Sequence, residues 1–478
     1  MIEQEITLTE ILTAREERVA IQNELLDEYK VPVVSFTMNM AGPVKVTALS
    51  HRAFLWGMEQ LRLGFLQNRM AVRKEFSRAL PTGDEGYFAV DAPAEAVKAL
   101  CVEIEETFGV GRLFDMDVIG TDGRKLERSS ERPCIVCGEP GRGCASRRVH
   151  TLSQLQEATN QSLRLGLFSI NCARVSRLAT CALLDEVGVT PKPGLVDQAN
   201  NGSHSDMDIH SFHASAAALP QYWETCFLCG YNDKGFKYAP SHTFCSLRKP
   251  GRIAERDMLA ATGGVNTHKG AIFTLGVLCG AIGRLWTAEK GFPDTDAILE
   301  EAAAMTRETL EQELPAANWN TAGEEAYRRY GTRGIRGEVA DGLPAVREVS
   351  LPVFKKLLAD GLDRNHAAAV TLLHLIARVE DTNLLHRGGP EGAAWARAAA
   401  AALLRQGSGI RDQGSEDEGN GLPRPSGPRN DGGTDGRVPS LQEISELDRQ
   451  FIERNLSPGG CADLLAVTLF LESVSHLA

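Results

Sequence analysis

Three carboxylates lie close together in the stretch TPKPGLVDQANNGSHSDMD, residues 190–208, which has neither helical nor strand periodicity. Asp197, Asp206 and Asp208 could chelate Mg²⁺, because this cation prefers oxygen ligands and keeps waters that a phosphate can displace. The same segment also fits a helix start, with Ser205 or Asp206 as the cap and Asp208 in the first turn. Both interpretations stay open from these residues alone.

A second pair of carboxylates lies in the segment FDMD, where Asp115 and Asp117 alternate with apolar residues. Residues 111–119 predict a strand, so the two acids project from one face while their neighbours face the core. Such a pair can hold Mg²⁺ at an in-line displacement on a polyphosphate, and the pattern resembles the metal-binding strand of the nucleotidyltransferase superfamily. A solvated strand face is the alternative.

Cysteines form another group with possible chemistry. Cys134 and Cys137 make a CxxC half-site, and Cys144 and His150 follow. Zinc binding is one interpretation. Reduced thiols near a turn are the interpretation we adopt here, because the second half of the pattern is irregular.

Four further polar, glycine-rich segments separate helix-like stretches in the second part of the chain. They read GGVNTHKG (263–270), GTRGIRGE (331–338), EDTNLLHRGG (380–389) and SPGGCAD (457–463). Lys269 stands at a predicted helix start, where free N–H groups also attract anions. Together these loops indicate a phosphate-binding site.

The elements that must position these groups change character along the chain. Up to about residue 165, strand and helix signals alternate, which predicts an α+β domain. From residue 166 to 478, long alanine- and leucine-rich segments predict an all-α domain. Residues 406–438 are rich in Gly, Pro, Ser and Asp, and we expect a disordered insertion there. The segment 222–249, with Cys226, Cys229, His242 and Cys245, is interpreted as a cysteine-bearing surface insertion, with zinc binding as the alternative.

Composition excludes several classes of function. The formal net charge of -12 argues against nucleic-acid binding and against an acidic membrane surface. The N-terminal segment is charged and has no apolar core typical of a secretory signal, so we expect a cytoplasmic protein with reduced cysteines.

Nine motifs, five in the second part of the chain and four in the first, resemble those of known families. TPKPGLVDQANNGSHSDMD, ATGGVNTHKGAIF, RGIRGE, EDTNLLHRGG and NLSPGGCADLLAVTLF resemble triphosphoribosyl-dephospho-coenzyme A synthase. AREERVAIQ, TMNMAGPVK, GRLFDMDV and RPCIVCGEPGRGCASRRVH resemble apo-citrate lyase phosphoribosyl-dephospho-coenzyme A transferase. The chain is thus similar to the fused, bifunctional form.

The resemblance implies two reactions. The second domain would join the ribose of ATP to the 2′-hydroxyl of 3′-dephospho-coenzyme A and release adenine. The first domain would then transfer the phosphoribosyl-dephospho-coenzyme A group to a serine of the acyl carrier (gamma) subunit of citrate lyase, releasing pyrophosphate.

The resemblance also implies roles for residues in the second domain. Asp206 and Asp208, with Asp197, would serve Mg²⁺ and the triphosphate, and Glu338 or Asp381 would act as base or cation stabiliser. Substrate binding falls to a larger set of polar residues and glycines in the loops: Lys192, His204, Asn266, His268, Lys269, Arg333, Arg336, Asn383, Arg387, Ser457, Gly459 and Gly460.

In the first domain, Asp115 and Asp117 would hold Mg²⁺, while Lys45 and Arg112 would bind phosphates. Two other functions remain open at this stage. One is a Mg²⁺-dependent hydrolase of nucleotides or ADP-ribosyl groups, and the other is a non-enzymatic scaffold stabilised by zinc.

Overall fold

The computed structural model describes residues 4–313, 322–406 and 438–477. The chain divides into two compact units, Met1–Asn171 with Thr287–Lys290, and Cys172–Trp286 with Gly291–Ala478. The units meet within one helix at residues 171–172, whereas the sequence placed the domain boundary at 165–166. Apart from residues 406 and 438, the expected insertion lies outside the described residues.

The first unit is built on an antiparallel sheet of four strands in the order β2-β3-β1-β4. The strands are β1 (Val33–Met38), β2 (Ala71–Arg78), β3 (Glu85–Asp91) and β4 (Phe114–Ile119). In β4 the apolar residues are buried and the two aspartates are half-buried, as the alternation of residue types predicts. The α+β class of this domain is therefore confirmed.

Helices accompany this sheet. They are α1 (Leu8–Tyr29), α2 (Ala48–Gln67), α3 (Ala94–Thr107), α4 (Gly141–Arg147) and α5 (Leu152–Gly188), of which the last continues into the second unit. Helix α1 begins with a capping box, in which Thr7 and Glu10 satisfy each other's backbone N–H groups. Helix α2 packs on the sheet through Phe54, which stacks on Phe36 of β1 at 4.9 Å between ring centres.

The second unit is helical, and no strand occurs among its described residues. Its helices are α6 (Ile209–Ala217), α7 (Pro220–Gly235), α8 (Pro240–Ala261), α9 (Lys269–Leu285), α10 (Thr295–Glu313), α11 (Ala322–Tyr330), α12 (Gly334–Ala340), α13 (Leu351–Ala359), α14 (Arg364–Arg378), α15 (Thr382–Gln406), α16 (Leu441–Glu453) and α17 (Gly459–Ser475). A π-helical segment, Ala345–Ser350, precedes α13. Helix α15 breaks at Gly389, where φ is 61°.

The segment 222–249 belongs to the core, so its interpretation as a surface insertion is wrong. It forms most of α7 and the first part of α8, and Trp223, Cys226 and Phe227 are fully buried. Helix α7 lies against α9 so closely that a Cβ on Gly230 would stand 2.0 Å from the Gly280 carbonyl oxygen. The helix pair therefore depends on glycine at this crossing.

One helix among the described residues, Leu152–Gly188, is long and apolar enough to cross a membrane by length and composition. Core helices of soluble proteins meet the same two criteria, and this helix buries Leu163, Leu167 and Val175 against the rest of the chain.

Candidate active sites

A cavity of about 790 Å³ in the second unit brings together most of the residues that the loops predicted. Helices α9, α15 and α17 all begin at its wall, and their first residues line it. The predicted residues in the lining are Lys192, His204, Asn266, His268, Lys269, Arg333, Arg336, Glu338, Asp381, Asn383, Arg387, Ser457, Gly459 and Gly460. Free N–H groups and the helix dipole make such a wall favourable for anions.

Buried and half-buried acids face this basic lining. Glu186, near the end of α5, accepts a hydrogen bond of 2.6 Å from Lys192 Nζ, and both side chains are buried. Asp463 accepts the N–H of Ala271 at the start of α9. Burial raises the pKa of Asp463 well above its usual range, and the charges of Glu186 and Asp381 raise it further. The Asp463 carboxyl therefore favours its protonated form more than a solvent-exposed aspartate does, and a bound cation would reverse this preference.

Two candidate bases differ in how their oxygens are used. Asp381 is 2% exposed and accepts three backbone N–H groups, those of Asn383, Leu384 and Cys461, so it joins the starts of α15 and α17. Glu338 accepts one, from Ala345 at 3.1 Å. Burial raises the pKa of both carboxyls. Glu338 is thus the better placed of the two to accept a proton from a substrate.

Polar atoms without partners also face the cavity. His268 Nδ1 lies 2.7 Å from Ser215 Oγ, while its buried Nε2 contacts no hydrogen-bonding group among the described residues. Burial lowers the pKa of His268 to about 3, so the imidazole is neutral at physiological pH. Arg333 donates to Asp341 at 2.7 Å through Nη1, and its buried Nη2 has no partner within the described ranges. Such atoms are suited to bind a polar ligand.

A row of hydrogen bonds fixes the polarity of another part of the wall. Arg387 Nη2 lies 3.0 Å from His204 Nδ1, and His204 Nε2 lies 2.8 Å from Ser457 Oγ. A guanidinium only donates, so His204 Nδ1 accepts and Nε2 carries the proton that it donates to Ser457. Burial lowers the pKa of His204, and Arg387 lowers it further, which keeps the ring neutral. The Ser457 hydroxyl can then donate into the cavity.

The acids of residues 190–208 are placed differently. Asp197 is buried and accepts the N–H groups of Lys192, Ala199 and Asn200, so it stabilises the loop itself. Asp208 caps α6 through the N–H of Ser211, and Asp206 is largely exposed. None of the three lines the cavity. The assignment of Mg²⁺ to Asp206 and Asp208 stays a prediction that the cavity lining does not support.

The lining also includes residues that were absent from the predicted site, among them Glu186, Asp463 and Phe212. Glu186 lies in an apolar helical stretch, and its position six residues before Lys192 was the only feature of the sequence that could have indicated an ion pair between them. Asp463 follows the Pro-Gly-Gly turn and is indistinguishable by sequence from an ordinary residue in a first helical turn. Phe212 has its ring centre 5.0 Å from that of His268 and offers the cavity a flat apolar surface.

In the first unit, β1 and β4 hold the second candidate site. Asp115 pairs in register with Thr37, and Asp117 with Ser35. Asp117 Oδ2 lies 2.6 Å from Lys125 Nζ, whose side chain is about half exposed. The two carboxylates therefore share one face of the sheet, as a metal-binding pair requires.

Lys45 and Arg112 lie near the same end of β4, but both have protein partners. Lys45 Nζ donates to the Met40 carbonyl at 2.8 Å, and burial lowers its pKa. Arg112 Nε donates to the Pro133 carbonyl at 2.8 Å, and Arg112 lines a cavity of about 650 Å³ in this unit. Their phosphate-binding roles stay predictions.

Cys134, Cys137, Cys144 and His150 meet in space. Their ligand atoms all lie within 4.8 Å of one another, and among the described residues no other group of three or more Cys, His or acidic side chains does so. The N–H groups of Cys137 and Val136 donate to Cys134 and lower its pKa to about 7. The alternative zinc interpretation of residues 226–245 has no such support.

Comparisons with known proteins match both halves of the chain. A family model described as ATP:dephospho-CoA triphosphoribosyl transferase matches residues 172–478, and one described as apo-citrate lyase phosphoribosyl-dephospho-CoA transferase matches residues 6–165. Protein CitXG of Haemophilus influenzae is 33% identical over 98% of this chain and 96% of its own length. Protein CitXG of Leuconostoc mesenteroides subsp. cremoris is 29% identical over 98% and 97%. The 2-(5''-triphosphoribosyl)-3'-dephosphocoenzyme-A synthase of Klebsiella pneumoniae is 41% identical over 61% of this chain and 88% of its own.

Proposed function

We propose that this chain carries out two successive reactions at two separate sites. The chain belongs to the ATP:dephospho-CoA triphosphoribosyl transferase family over residues 172–478 and to the CitXG family along its whole length. The chain is a bifunctional transferase of citrate lyase maturation. Its C-terminal part makes 2′-(5″-triphosphoribosyl)-3′-dephospho-coenzyme A from ATP and 3′-dephospho-coenzyme A, with release of adenine. Its N-terminal part transfers the phosphoribosyl-dephospho-coenzyme A group to the citrate lyase carrier, with release of pyrophosphate.

The observation that carries the proposal is the meeting of helix starts, basic side chains and buried acids at the 790 Å³ cavity. The triphosphate of ATP binds where α9, α15 and α17 begin, and Lys269, Arg333 and Arg336 offset its charge. Phe212 lies beside His268, so the adenine ring has a flat apolar neighbour.

Glu338 acts as the base in this proposal. Its single backbone partner leaves one oxygen to accept the proton of the attacking 2′-hydroxyl, and its raised pKa makes it a stronger base than an exposed glutamate. Asp463 and Glu186 stabilise the positive charge that develops on the ribose as the bond to adenine breaks. Asp381 holds the starts of α15 and α17 in position.

A divalent cation fits this site, because the carboxyl groups of Glu186, Asp381 and Asp463 line it together, and carboxylates are the ligands Mg²⁺ prefers. Asp463 would hold it in the second unit, which leaves Glu338 free to act as the base. Asp115 and Asp117 would hold it in the first, in an arrangement like that of nucleotidyltransferases. When bound in the first unit, Mg²⁺ would neutralise charge on the phosphate oxygens and favour the displacement of pyrophosphate.

In the first unit the chain's own residues orient the transfer. When substrate binds, Asp117 gives up its ion pair with Lys125. Lys45 lies just beyond the end of β1 and binds the phosphates. The acceptor is a serine of the acyl carrier (gamma) subunit of citrate lyase.

The test is mass spectrometry of the carrier subunit after incubation with the full chain, ATP, Mg²⁺ and 3′-dephospho-coenzyme A, with adenine measured in parallel. The proposal predicts adenine release that requires 3′-dephospho-coenzyme A and a carrier heavier by one phosphoribosyl-dephospho-coenzyme A group. Adenine release without 3′-dephospho-coenzyme A, and an unmodified carrier, would instead indicate a hydrolase.

A further inference from the structure

We infer that Cys134, Cys137, Cys144 and His150 form a structural zinc site in the first unit. The sequence favoured separate thiols, because the spacing after the CxxC half-site is irregular. The four side chains nevertheless meet in the folded chain, because α4 places Cys144 beside Cys137 and the turn after α4 places His150 beside Cys137. A set of three sulfurs and one imidazole nitrogen matches the donors of closed, four-ligand zinc sites.

The distances fit one ion. Cys137 Sγ lies 3.5 Å from Cys144 Sγ and 3.3 Å from His150 Nε2, and all four ligand atoms lie within 4.8 Å of one another. A tetrahedral zinc ion with Zn–S bonds of about 2.3 Å separates its ligands by roughly 3.7 Å. The four atoms are therefore already near the corners of the polyhedron that the ion requires.

A disulfide explains the cluster less well. It would join two of the sulfurs at about 2.05 Å and leave the third sulfur and the imidazole without a function. All three thiols are free in the structure. The meeting of four ligands, two of them buried, is accounted for by a metal ion and not by one covalent bond.

The turn around Cys134 has the form that a thiolate ligand needs. Cys134 N–H donates to the Glu139 carbonyl at 2.6 Å, and Gly138 N–H donates to the Cys134 carbonyl at 2.9 Å. Gly138 has φ of 77°, which favours glycine. The N–H groups of Val136 and Cys137 point at the Cys134 sulfur. Such outer hydrogen bonds orient the ligands of metal sites.

The cluster is attached to the strand that carries the proposed transferase acids. Arg112 donates to the carbonyl of Pro133, next to Cys134, and Arg132 Nη1 donates to the carbonyl of Phe114 at 2.6 Å. Phe114 immediately precedes Asp115. A bound zinc ion therefore fixes the turn that holds Arg112 and the beginning of β4, and it takes no part in the reaction itself.

Elemental analysis of the full chain, purified under reducing conditions without chelator and with zinc supplied, tests the site. We expect about one zinc per chain in the wild type and at least a tenfold loss in the Cys137→Ser, Cys144→Ser double variant. Cys181→Ser and Cys245→Ser are matched controls, because both cysteines are exposed and lie outside the cluster. Both controls should keep the metal. Zinc absent from the wild type, or retained by the double variant, overturns the proposal.

A second measurement covers the case in which the double variant misfolds. Complete reaction of the wild-type thiols with a mercurial reagent should release one zinc per chain, and substitution by Co²⁺ should give the visible absorption of a tetrahedral thiolate complex. No zinc released after complete reaction, or a Co²⁺ spectrum of an octahedral oxygen site, overturns the proposal. Adenine release reports whether the second unit is folded in each variant.

Discussion

Glu338 and Asp381 show how hydrogen-bond use separates two acids that look equivalent in sequence. Both line the same cavity, and burial raises the pKa of both. Asp381 uses its oxygens to accept three backbone N–H groups, whereas Glu338 accepts one. The number of oxygens already in use therefore favours Glu338 as the proposed proton acceptor, and two substitutions test the roles of single residues.

Glu338→Gln should lower the rate of adenine release by about 10²–10⁴, because an amide keeps the bond from Ala345 but cannot take a proton. Chromatographic assay of adenine checks this, with Glu311→Gln as the exposed control on α10. The raised pKa of Glu338 further predicts that wild-type activity falls as pH drops through that pKa. A variant rate within a few-fold of wild type would show that another group is the base.

Asp463→Asn should raise the thermal midpoint at neutral pH in the absence of Mg²⁺. The folded-state pKa of Asp463 is raised, so ionisation costs stability once pH exceeds the unfolded-state pKa of about 3.9. The difference between variant and wild type should grow as pH rises through the folded pKa and then level off. Each kcal/mol shifts the midpoint by roughly 2–4 °C in a domain of this size.

Scanning calorimetry over a pH series checks this, with Asp360→Asn as the control because Asp360 is exposed beside Lys356. The same Asp463 variant should lose adenine release. A midpoint below that of wild type at pH 8 would show that the carboxylate is compensated in the folded chain.

Most polar residues of the cavity could be located from sequence, because they stand in glycine-rich loops at helix starts. Lys269, Arg333 and Asn383 are of this kind. Glu186 could not be located in this way, since it lies within an apolar helical stretch and only tertiary packing directs it towards Lys192. Asp208 was ambiguous for a physical reason: a helix cap and a metal ligand need the same carboxylate.

At the scale of elements, the start of α9 is held close to α17. A Cβ on Gly270 would stand 1.9 Å from Asp463 Oδ2. Gly270→Ala should therefore displace this carboxylate, lower the free energy of unfolding by about 1–3 kcal/mol and reduce adenine release. Gly235→Ala is the matched control, because a Cβ added there would meet no atom of the described residues within 4 Å.

Denaturant unfolding of both variants, followed by circular dichroism, measures the effect. A Gly270→Ala chain as stable and as active as Gly235→Ala would contradict the close approach of α9 and α17.

Elements with a clear apolar face were predictable, and those without one were not. Strand β4 follows from its alternation of acidic and apolar residues. Strand β2 carries Arg73, Lys74 and Glu75 at the sheet edge, so its sequence offers no alternation to detect. Helices α7 and α8 were misjudged because their cysteines and charges suggested a surface, whereas Trp223 and Phe227 are buried against neighbouring helices.

At the scale of the whole molecule, each unit carries its own candidate site. Asp115 and Asp117 lie on β4 in the first unit, and the cavity with Glu338 lies in the second. The product of the second unit is the substrate of the first, and linkage in one chain raises the effective concentration at which they meet. Two sites in series predict that the activities can be removed one at a time.

The most direct test compares Asp117→Asn and Glu338→Gln in one assay of adenine release and carrier mass, with ATP, Mg²⁺ and 3′-dephospho-coenzyme A supplied. The account predicts that Asp117→Asn releases adenine at the wild-type rate but leaves the carrier unmodified. It predicts that Glu338→Gln loses both, and that purified triphosphoribosyl-dephospho-coenzyme A restores carrier modification to it. Loss of adenine release in Asp117→Asn, or a Glu338→Gln chain that this intermediate does not rescue, would contradict two separate sites acting in series.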